Sequence, residues 1–226
     1  MHEEIPAETT SRPRRLGFLI SGGAEHVLLV AEAIASGRLA GCEIAIVVCN
    51  IPGAPGAEAA RQAGVQTVTM EARGLNPRDH EAAVDALMRR MRVDIVCLAG
   101  YLRKLSVAFL RHWPNRVLAV HGSLLPAFAR PRPAREAVEF GVRLTGCTVY
   151  VVDERMEGGV VLEQQALAVE EEETEQSLLE RLVPLEAEAY INALERFVSG
   201  EWEIDGRRYR RKPRELEARL VQQGEW

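Results

Sequence analysis

The feature that most restricts the fold of this chain is a series of short apolar runs that alternate with helical patterns. The clearest runs are residues 16–20, 44–49, 93–99 and 116–120. Strands that are apolar on both faces must be covered on both sides, which is typical of parallel sheets with a helix after each strand. The sequence therefore predicts an α/β fold, with a Rossmann-like, mostly parallel twisted sheet and helices on both faces.

The C-terminal half adds a different pattern to this sheet. Residues 146–152 form a predicted strand that ends on Asp153, and glycines at 158 and 159 turn the chain into a second strand over 160–168. A tight glycine turn favours an antiparallel pair that extends the parallel sheet. A long helix is predicted over 175–198. We expect a disordered leader at 1–15, a single domain at 16–200 and a polar tail at 201–226.

Charge and composition exclude several classes of function. The net charge is −5, and no apolar run approaches the roughly 20 residues of a membrane helix, so neither nucleic acid nor a membrane is an expected partner. The N-terminal stretch lacks the apolar segment of a secretory signal. Cys42, Cys49, Cys97 and Cys147 have no metal-type spacing. We expect buried free thiols, no bound metal, and a monomer or homodimer in a reducing cytoplasm.

His121 is the first catalytic candidate, because it ends the apolar run at 116–120 and begins a loop that contains Gly122, Ser123 and Pro126. In open α/β sheets ligands bind beyond the carboxyl ends of the strands, where a titratable side chain can meet a substrate. The alternative is a histidine that hydrogen-bonds a neighbouring loop. Asp153, an acid at a strand terminus, is the second catalytic candidate.

The turn Ser21-Gly22-Gly23 joins the first strand to a helix predicted over 25–36. Backbone N–H groups at a helix N-terminus can bind a phosphate, so Gly22 and Gly23 are candidate binding residues. Glu25, however, places a negative charge where the phosphate would lie. A plain strand-to-helix turn is therefore an equally good interpretation.

Two segments of the C-terminal half together resemble a known family. They are residues 121–128, HGSLLPAF, and residues 145–159, which run from Thr145 through Asp153 to Glu157-Gly158-Gly159. The pattern is similar to the folate-dependent formyltransferase family. Residues 19–22, 61–64 and 98–103 are most similar to its phosphoribosylglycinamide formyltransferase branch, and the resemblance runs from about Leu16 to Tyr209.

This resemblance implies a formyl transfer from 10-formyltetrahydrofolate to a primary amine, glycinamide ribonucleotide in purine biosynthesis. It assigns residues 16–115 to the amine substrate and residues 116–200 to catalysis and folate binding. In such a reaction a tetrahedral oxyanion develops and protons must be moved. His121 would stabilise the oxyanion and transfer protons, and Asp153 beside it would favour the imidazolium.

The resemblance also assigns binding roles to individual residues. Folate contacts would come from Arg78, Leu102, Arg103, Lys104, Leu105, Val151 and Val152. Glu186 would contact the ribonucleotide on the same side as Gly22 and Gly23. The simpler alternatives are that Arg78 and Arg103 are solvated surface charges, and that Glu186 lies on the exposed face of the last helix.

Four departures from the family pattern fall at the catalytic centre and on the amine side. Ala119 replaces an asparagine that helps to hold the formyl oxygen, and loss of one such donor typically costs about 10²–10³ in rate. Ala24-Glu25-His26 replaces the glycine-serine-asparagine phosphate loop, Gly122 replaces a proline, and Ala187 replaces a histidine.

These departures leave three hypotheses open. The first is a formyltransferase with an altered site. The second is a paralogue that formylates another amine or hydrolyses formyltetrahydrofolate. The third is a catalytically weak folate-binding protein.

Overall fold

The computed structural model describes residues 12–153 and 156–212. Residues 1–11 of the predicted leader lie outside that range. In chain order the elements are β1 Arg14–Ile20, α1 Glu25–Ala35, β2 Cys42–Cys49, α2 Pro55–Gln62, β3 Thr67–Thr69, α3 Pro77–Arg90, β4 Ile95–Leu98, α4 Val107–His112, β5 Val117–His121, α5 Pro133–Phe140, β6 Leu144–Asp153, β7 Met156–Ala168, α6 Glu175–Val198, β8 Trp202–Asp205 and β9 Arg208–Arg211.

The main sheet has the strand order β3-β2-β1-β4-β5-β6-β7. The first five strands in this order, β3, β2, β1, β4 and β5, are parallel to one another. Strand β6 pairs antiparallel with β5, and β7 pairs antiparallel with β6. The predicted fold class is therefore confirmed, including the antiparallel extension. Because the five parallel strands all end at one edge, the loops after β1, β2, β3, β4 and β5 meet there, and this is where an open sheet binds ligands.

The sheet separates two apolar layers. Leu118 belongs to the layer under α1 and α6, whereas the next residue, Ala119, belongs to the layer under α3 and α4. Successive side chains of a strand point to opposite faces, so every central strand must be apolar throughout. Tyr190 of α6 is fully buried, and its hydroxyl donates a hydrogen bond to the Leu118 carbonyl at 2.9 Å. Helix α6 is thereby attached to strand β5.

Local sequence signals explain where the longer helices begin. Asn76 caps α3, its side-chain oxygen accepting the Arg78 amide at 2.9 Å, and Pro77 follows at the first helical position. Thr174 and Ser177 form a reciprocal capping box at the start of α6. The predicted helix over 175–198 is confirmed with the same bounds.

The prediction of a polar tail from residue 201 is wrong for the segment 202–211. β8 and β9 form an antiparallel hairpin in which the Trp202 and Tyr209 rings stack at 5.1 Å. Ile204 is buried, and Tyr209 also stacks on Phe197 of α6 at 6.4 Å. The arginines between these residues hide the apolar alternation in the sequence. Residues 213–226 lie outside the described range.

Candidate active site

His121 is the last residue of β5 and lies at the ligand-binding edge of the sheet. Its Nε2 lies 2.9 Å from the Phe128 carbonyl oxygen. A carbonyl can only accept, so Nε2 carries the proton and donates it, which leaves Nδ1 with the lone pair in the neutral imidazole. Phe128 has a φ of +48°, and this left-handed conformation sets the direction of its carbonyl. The loop thus fixes the tautomer of the candidate catalytic residue.

Thr148 holds the loop that follows His121. It pairs directly with His121 across β5 and β6 and is fully buried. Its hydroxyl donates to the Ser123 carbonyl at 2.7 Å and accepts from the Leu125 amide at 3.0 Å and from the Gln164 side chain at 3.0 Å. These bonds fix the loop to the antiparallel strands, so the histidine is held in a pre-organised position.

The structure does not place Asp153 beside His121. Strand β6 runs antiparallel to β5, with His121 opposite Thr148 and Leu118 opposite Val151. Asp153 therefore lies five residues beyond the partner of His121, about 16 Å along the strand, and pairs with Met156 in the β6–β7 hairpin. The contact between this carboxylate and the imidazole, which the resemblance implied, is corrected. The strand direction, rather than the residue type, is what separates them.

Ala119 lies two residues before His121 and is 5% exposed. It packs in the apolar layer that contains Val117 and Val152, and it pairs directly with Tyr150. The methyl group offers no hydrogen-bond donor to an oxyanion on this face of β5. The side chain of residue 119 therefore provides no substitute for the amide donor of the family's asparagine.

On the amine side, the structure brings together three positions that lie far apart in the sequence. His26 Nε2 lies 2.9 Å from Glu186 Oε2, and both side chains are largely buried. A Cβ atom placed on Gly122 would lie 2.7 Å from Glu186 Oε1, which is closer than real Cβ contacts. Gly122 therefore leaves the space that the Glu186 carboxylate occupies.

The turn at Gly22 and Gly23 is held by α2. The Gly56 amide donates to the Gly22 carbonyl at 2.9 Å, and a Cβ on Gly56 would lie 2.4 Å from that oxygen. A Cβ on Gly23 would meet the Glu25 carboxylate at 2.0 Å, so this side chain folds back over the turn. The carboxylate lies at the N-terminus of α1, where an anionic ligand would otherwise bind.

Residues 14–194 match the model of the family described as formyl transferase. The chain belongs to the formyl transferase family. The match covers β1 through most of α6, so it includes the sheet edge with His121, the turn after β1 and Glu186.

Curated formyl transferase relatives are about one third identical to the chain. The trifunctional purine biosynthetic protein adenosine-3 of Drosophila melanogaster is 32% identical over 193 residues, 84% of this chain but 14% of that protein. The chloroplastic phosphoribosylglycinamide formyltransferase of Vigna unguiculata is 31% identical over 215 residues, 90% of this chain and 67% of that protein. The chain thus spans only about a seventh of the trifunctional relative.

Solved structures of formyl transferases also resemble the chain. Glycinamide ribonucleotide transformylase 1 from Symbiobacterium toebii has a TM-score of 0.86 and 34% identity, covering 90% of this chain and 96% of that one. A formyltetrahydrofolate deformylase from Pseudomonas syringae has a TM-score of 0.82 at 19% identity, covering 90% of this chain and 67% of that one. The second likeness shows the fold alone.

In this formyl transferase, the turn after β4 lies against the end of β1. The Leu102 amide donates to the buried hydroxyl of Ser21 at 2.9 Å, while the Leu102 side chain is 81% exposed. Leu105 is buried, Arg103 is half-buried and Lys104 is exposed. Burial raises the pKa of the Tyr101 phenol to about 12, an effect that the nearby Arg103 opposes. Residues 102–105 thus share one turn but have different environments.

The remaining predicted folate residues are not gathered on one surface. Val151 packs in the layer under α6, whereas Val152 packs with Leu105 in the layer under α4. Only Val152 therefore shares an apolar layer with Leu105 of that turn, and the folate contact predicted for Val151 stays a prediction. Arg78 is exposed in the first turn of α3.

Two residues of the site were not singled out as site residues in the sequence. His26 was noted only as a departure, although it lies on the buried face of α1 with Val27, Val30 and Ala33, which helical periodicity could have shown. Thr148 was noted only as part of a strand. Its role depends on the pairing register, for which the sequence carries no local signal.

Within residues 12–153 and 156–212, no helix is long and apolar enough to cross a membrane. That part of the chain also contains no group of three or more His, Cys, Asp or Glu side chains suited to a metal ion.

Proposed function

We propose that this enzyme transfers a formyl group from 10-formyltetrahydrofolate to a primary amine, with glycinamide ribonucleotide as the acceptor. The observation that carries the proposal is the fixed imidazole of His121, whose Nδ1 retains its lone pair at the sheet edge. The curated Vigna relative, a phosphoribosylglycinamide formyltransferase, supports the choice of acceptor.

The proposed reaction needs three events around the formyl carbon atom. The amine nitrogen attacks the formyl carbon, the formyl oxygen becomes an oxyanion, and the folate nitrogen leaves with a proton. His121 takes the proton from the attacking nitrogen, and the resulting imidazolium stabilises the oxyanion and then donates that proton to the departing folate nitrogen. Because Ala119 offers no donor, more of the oxyanion charge falls on His121 than in an asparagine-containing site.

Binding of the amine is proposed at the turn after β1 and at Glu186. The Glu186 carboxylate, held by His26 and lying next to Gly122, would accept a hydrogen bond from an incoming amine. The donor is proposed to lie over the Leu102–Leu105 turn, with Val152 on the same face. Arg78 and Val151 stay predictions on this side, as does a catalytic contribution of Asp153.

The direct test is an assay of the purified chain with 10-formyltetrahydrofolate and glycinamide ribonucleotide. Formylated product at a rate above the uncatalysed background is expected. Absence of product, with folate binding intact by calorimetry, would exclude this acceptor and leave the fold assignment untouched.

Ala119 favours a second candidate, a folate enzyme or binding protein that does not transfer the formyl group efficiently. Without a donor at this position, water can compete with a weakly held amine, or the site can bind folate without turnover. Release of formate from 10-formyltetrahydrofolate in the absence of any amine identifies the hydrolase. Folate binding that His121→Ala leaves unchanged, without turnover, identifies the binding protein.

A further inference from the structure

The side chain of His26 joins helix α1 to helix α6. It lies on the buried face of α1, together with Val27, Val30 and Ala33. Its Nε2 lies 2.9 Å from Glu186 Oε2 of α6. An ionised carboxylate only accepts hydrogen bonds, so Nε2 carries the proton and donates it whether the imidazole is neutral or charged. His26 is thus a fixed hydrogen-bond donor to Glu186.

The Glu186 carboxylate depends on this donor. Its side chain is 13% exposed, and within the described part of the chain His26 is its only hydrogen-bond or ion-pair partner. The thiol of Cys147 in β6 is no counter-charge, because burial and, less strongly, the Glu186 charge raise its pKa to about 12. A largely buried carboxylate without a partner either takes up a proton or turns toward solvent. Loss of His26 would therefore neutralise or move the carboxylate.

Two contacts fix the place of Glu186 relative to β5. Tyr190, one turn further along α6, donates its hydroxyl to the Leu118 carbonyl at 2.9 Å. Glu186 Oε1 lies 2.7 Å from the position of a Cβ on Gly122, which follows the end of β5 at the ligand-binding edge. Residues four apart share one face of a helix and one side of a strand, so both contacts lie on the same side of β5. With Oε2 bonded to His26, Oε1 is the oxygen left for a ligand.

We propose that His26 is a positioning residue for the amine acceptor. By donating to Oε2, it keeps the Glu186 carboxylate ionised and leaves Oε1 at the Gly122 end of β5. A carboxylate in this place accepts an N–H or O–H group of the acceptor. The inference rests on the proposed function for the identity of that acceptor.

This role reverses the expectation for a return to the family pattern at position 26. The asparagine that His26 replaces carries its amide nitrogen one bond nearer to Cβ than the imidazole Nε2, so it does not reach Oε2. Glutamine carries its amide nitrogen as many bonds from Cβ as Nε2 and does reach. Ala187, which replaces a histidine beside Glu186, is buried and offers no polar group instead. Restoring asparagine alone should therefore weaken binding of the acceptor.

Calorimetry on the full chain without turnover tests this role. The probes are glycinamide ribonucleotide and tetrahydrofolate, and the variants are His26→Leu, His26→Asn and His26→Gln. The matched control is Glu188→Gln, which removes an exposed ion pair of 2.7 Å between α6 and Arg38, just beyond α1. The two polar variants, His26→Asn and His26→Gln, keep the proposal testable if His26→Leu does not fold.

We expect His26→Leu and His26→Asn to weaken glycinamide ribonucleotide binding about tenfold, because a hydrogen bond to a charged group is lost. His26→Gln and Glu188→Gln should bind it as the wild type does, and all four variants should keep their affinity for tetrahydrofolate.

Three results would overturn the proposal: unchanged acceptor affinity in His26→Leu and His26→Asn, equal losses in His26→Gln and His26→Asn, or a parallel loss of both probes, which indicates a structural role alone. A wild type that does not bind glycinamide ribonucleotide overturns it as well. Binding of glycinamide ribonucleotide without formyl transfer contradicts the proposed function and leaves the role of His26 intact.

Discussion

The predicted amine side and the predicted folate side of this site differ in that departures from the family pattern meet on the first, whereas none was identified on the second. On the amine side, His26 and Gly122 both contact Glu186, so two departures meet at one carboxylate. On the folate side, the Leu102–Leu105 turn keeps its contact with the end of β1 through Ser21. His26, Gly122 and Glu186 thus form one connected group, so a substitution at any one of them disturbs the other two.

The largest expected effect is at His121, the candidate catalytic residue between the predicted amine and folate sides. His121→Ala should lower kcat about 10³-fold, because it removes the proton transfer and the oxyanion contact together. Steady-state kinetics checks this, with folate affinity by calorimetry as the test of folding. The exposed histidine variant His112→Ala is the control. A loss below tenfold would mean that another group performs the proton transfer.

The second-largest expected effect is at Ala119, two residues before His121 in β5. Ala119→Asn should raise kcat about 100-fold, because it restores a hydrogen-bond donor two residues from His121 on the same face. Ala119 is buried opposite Tyr150, so the larger side chain must fit beside that ring. The variant Ala119→Leu has the same number of side-chain heavy atoms, branched at Cγ, and no donor, and it should give no gain. Equal rates for the two variants would exclude the missing amide as the limitation.

A smaller effect is expected at Gly122, and it tests whether Gly122 and Glu186 act together in binding the amine. Gly122→Ala places a Cβ against Glu186 Oε1, so the carboxylate must move away from His26. We expect the KM for the amine to rise about tenfold, with kcat and the KM for folate little changed.

The control for Gly122→Ala is a double-mutant cycle with Glu186→Ala. Once the carboxylate is absent, Gly122→Ala should have almost no further effect on the amine KM. Additive effects of the two changes would show that Gly122 and Glu186 act independently.

The smallest effect concerns stability rather than the site. Burial raises the pKa of the Cys97 and Cys147 thiols to about 12 and that of Cys42 to about 11, from an ordinary value of 9.0. The folded state therefore keeps protons that the unfolded state releases, so stability must fall as the pH rises from about 9. Urea unfolding at several pH values should show this decline, and it should be shallower in Cys97→Ala. Parallel pH dependences of the two proteins would contradict the assignment to this thiol.

Much of the fold was accessible from the sequence because the apolar runs are local. The strand before His121, the glycine turn after β1 and the helix over 175–198 each carry their own signal within a few residues. The hairpin at 202–211 was missed because it is stabilised by Phe197 of another element. Its own sequence is rich in arginine and hides the pattern.

The candidate site was less predictable because its contacts join distant segments. His26 and Glu186 are 160 positions apart, and neither residue signals the other. The family resemblance placed Asp153 beside His121, but the antiparallel direction of β6 places the ends of β5 and β6 at opposite edges of the sheet. Pairing register and strand direction come from tertiary structure, which residue types alone do not specify.

The hydrogen bond from Tyr190 to Leu118 has a consequence for the synthesis of the chain. The Tyr190 hydroxyl reaches β5 from 72 positions further along the chain, and its ring fills the apolar layer beneath that strand. During translation His121 leaves the ribosome well before the helix that supports its strand. Enzymatic activity should thus appear late and abruptly, when α6 docks on β5. Nascent chains that stop after α5 should remain inactive.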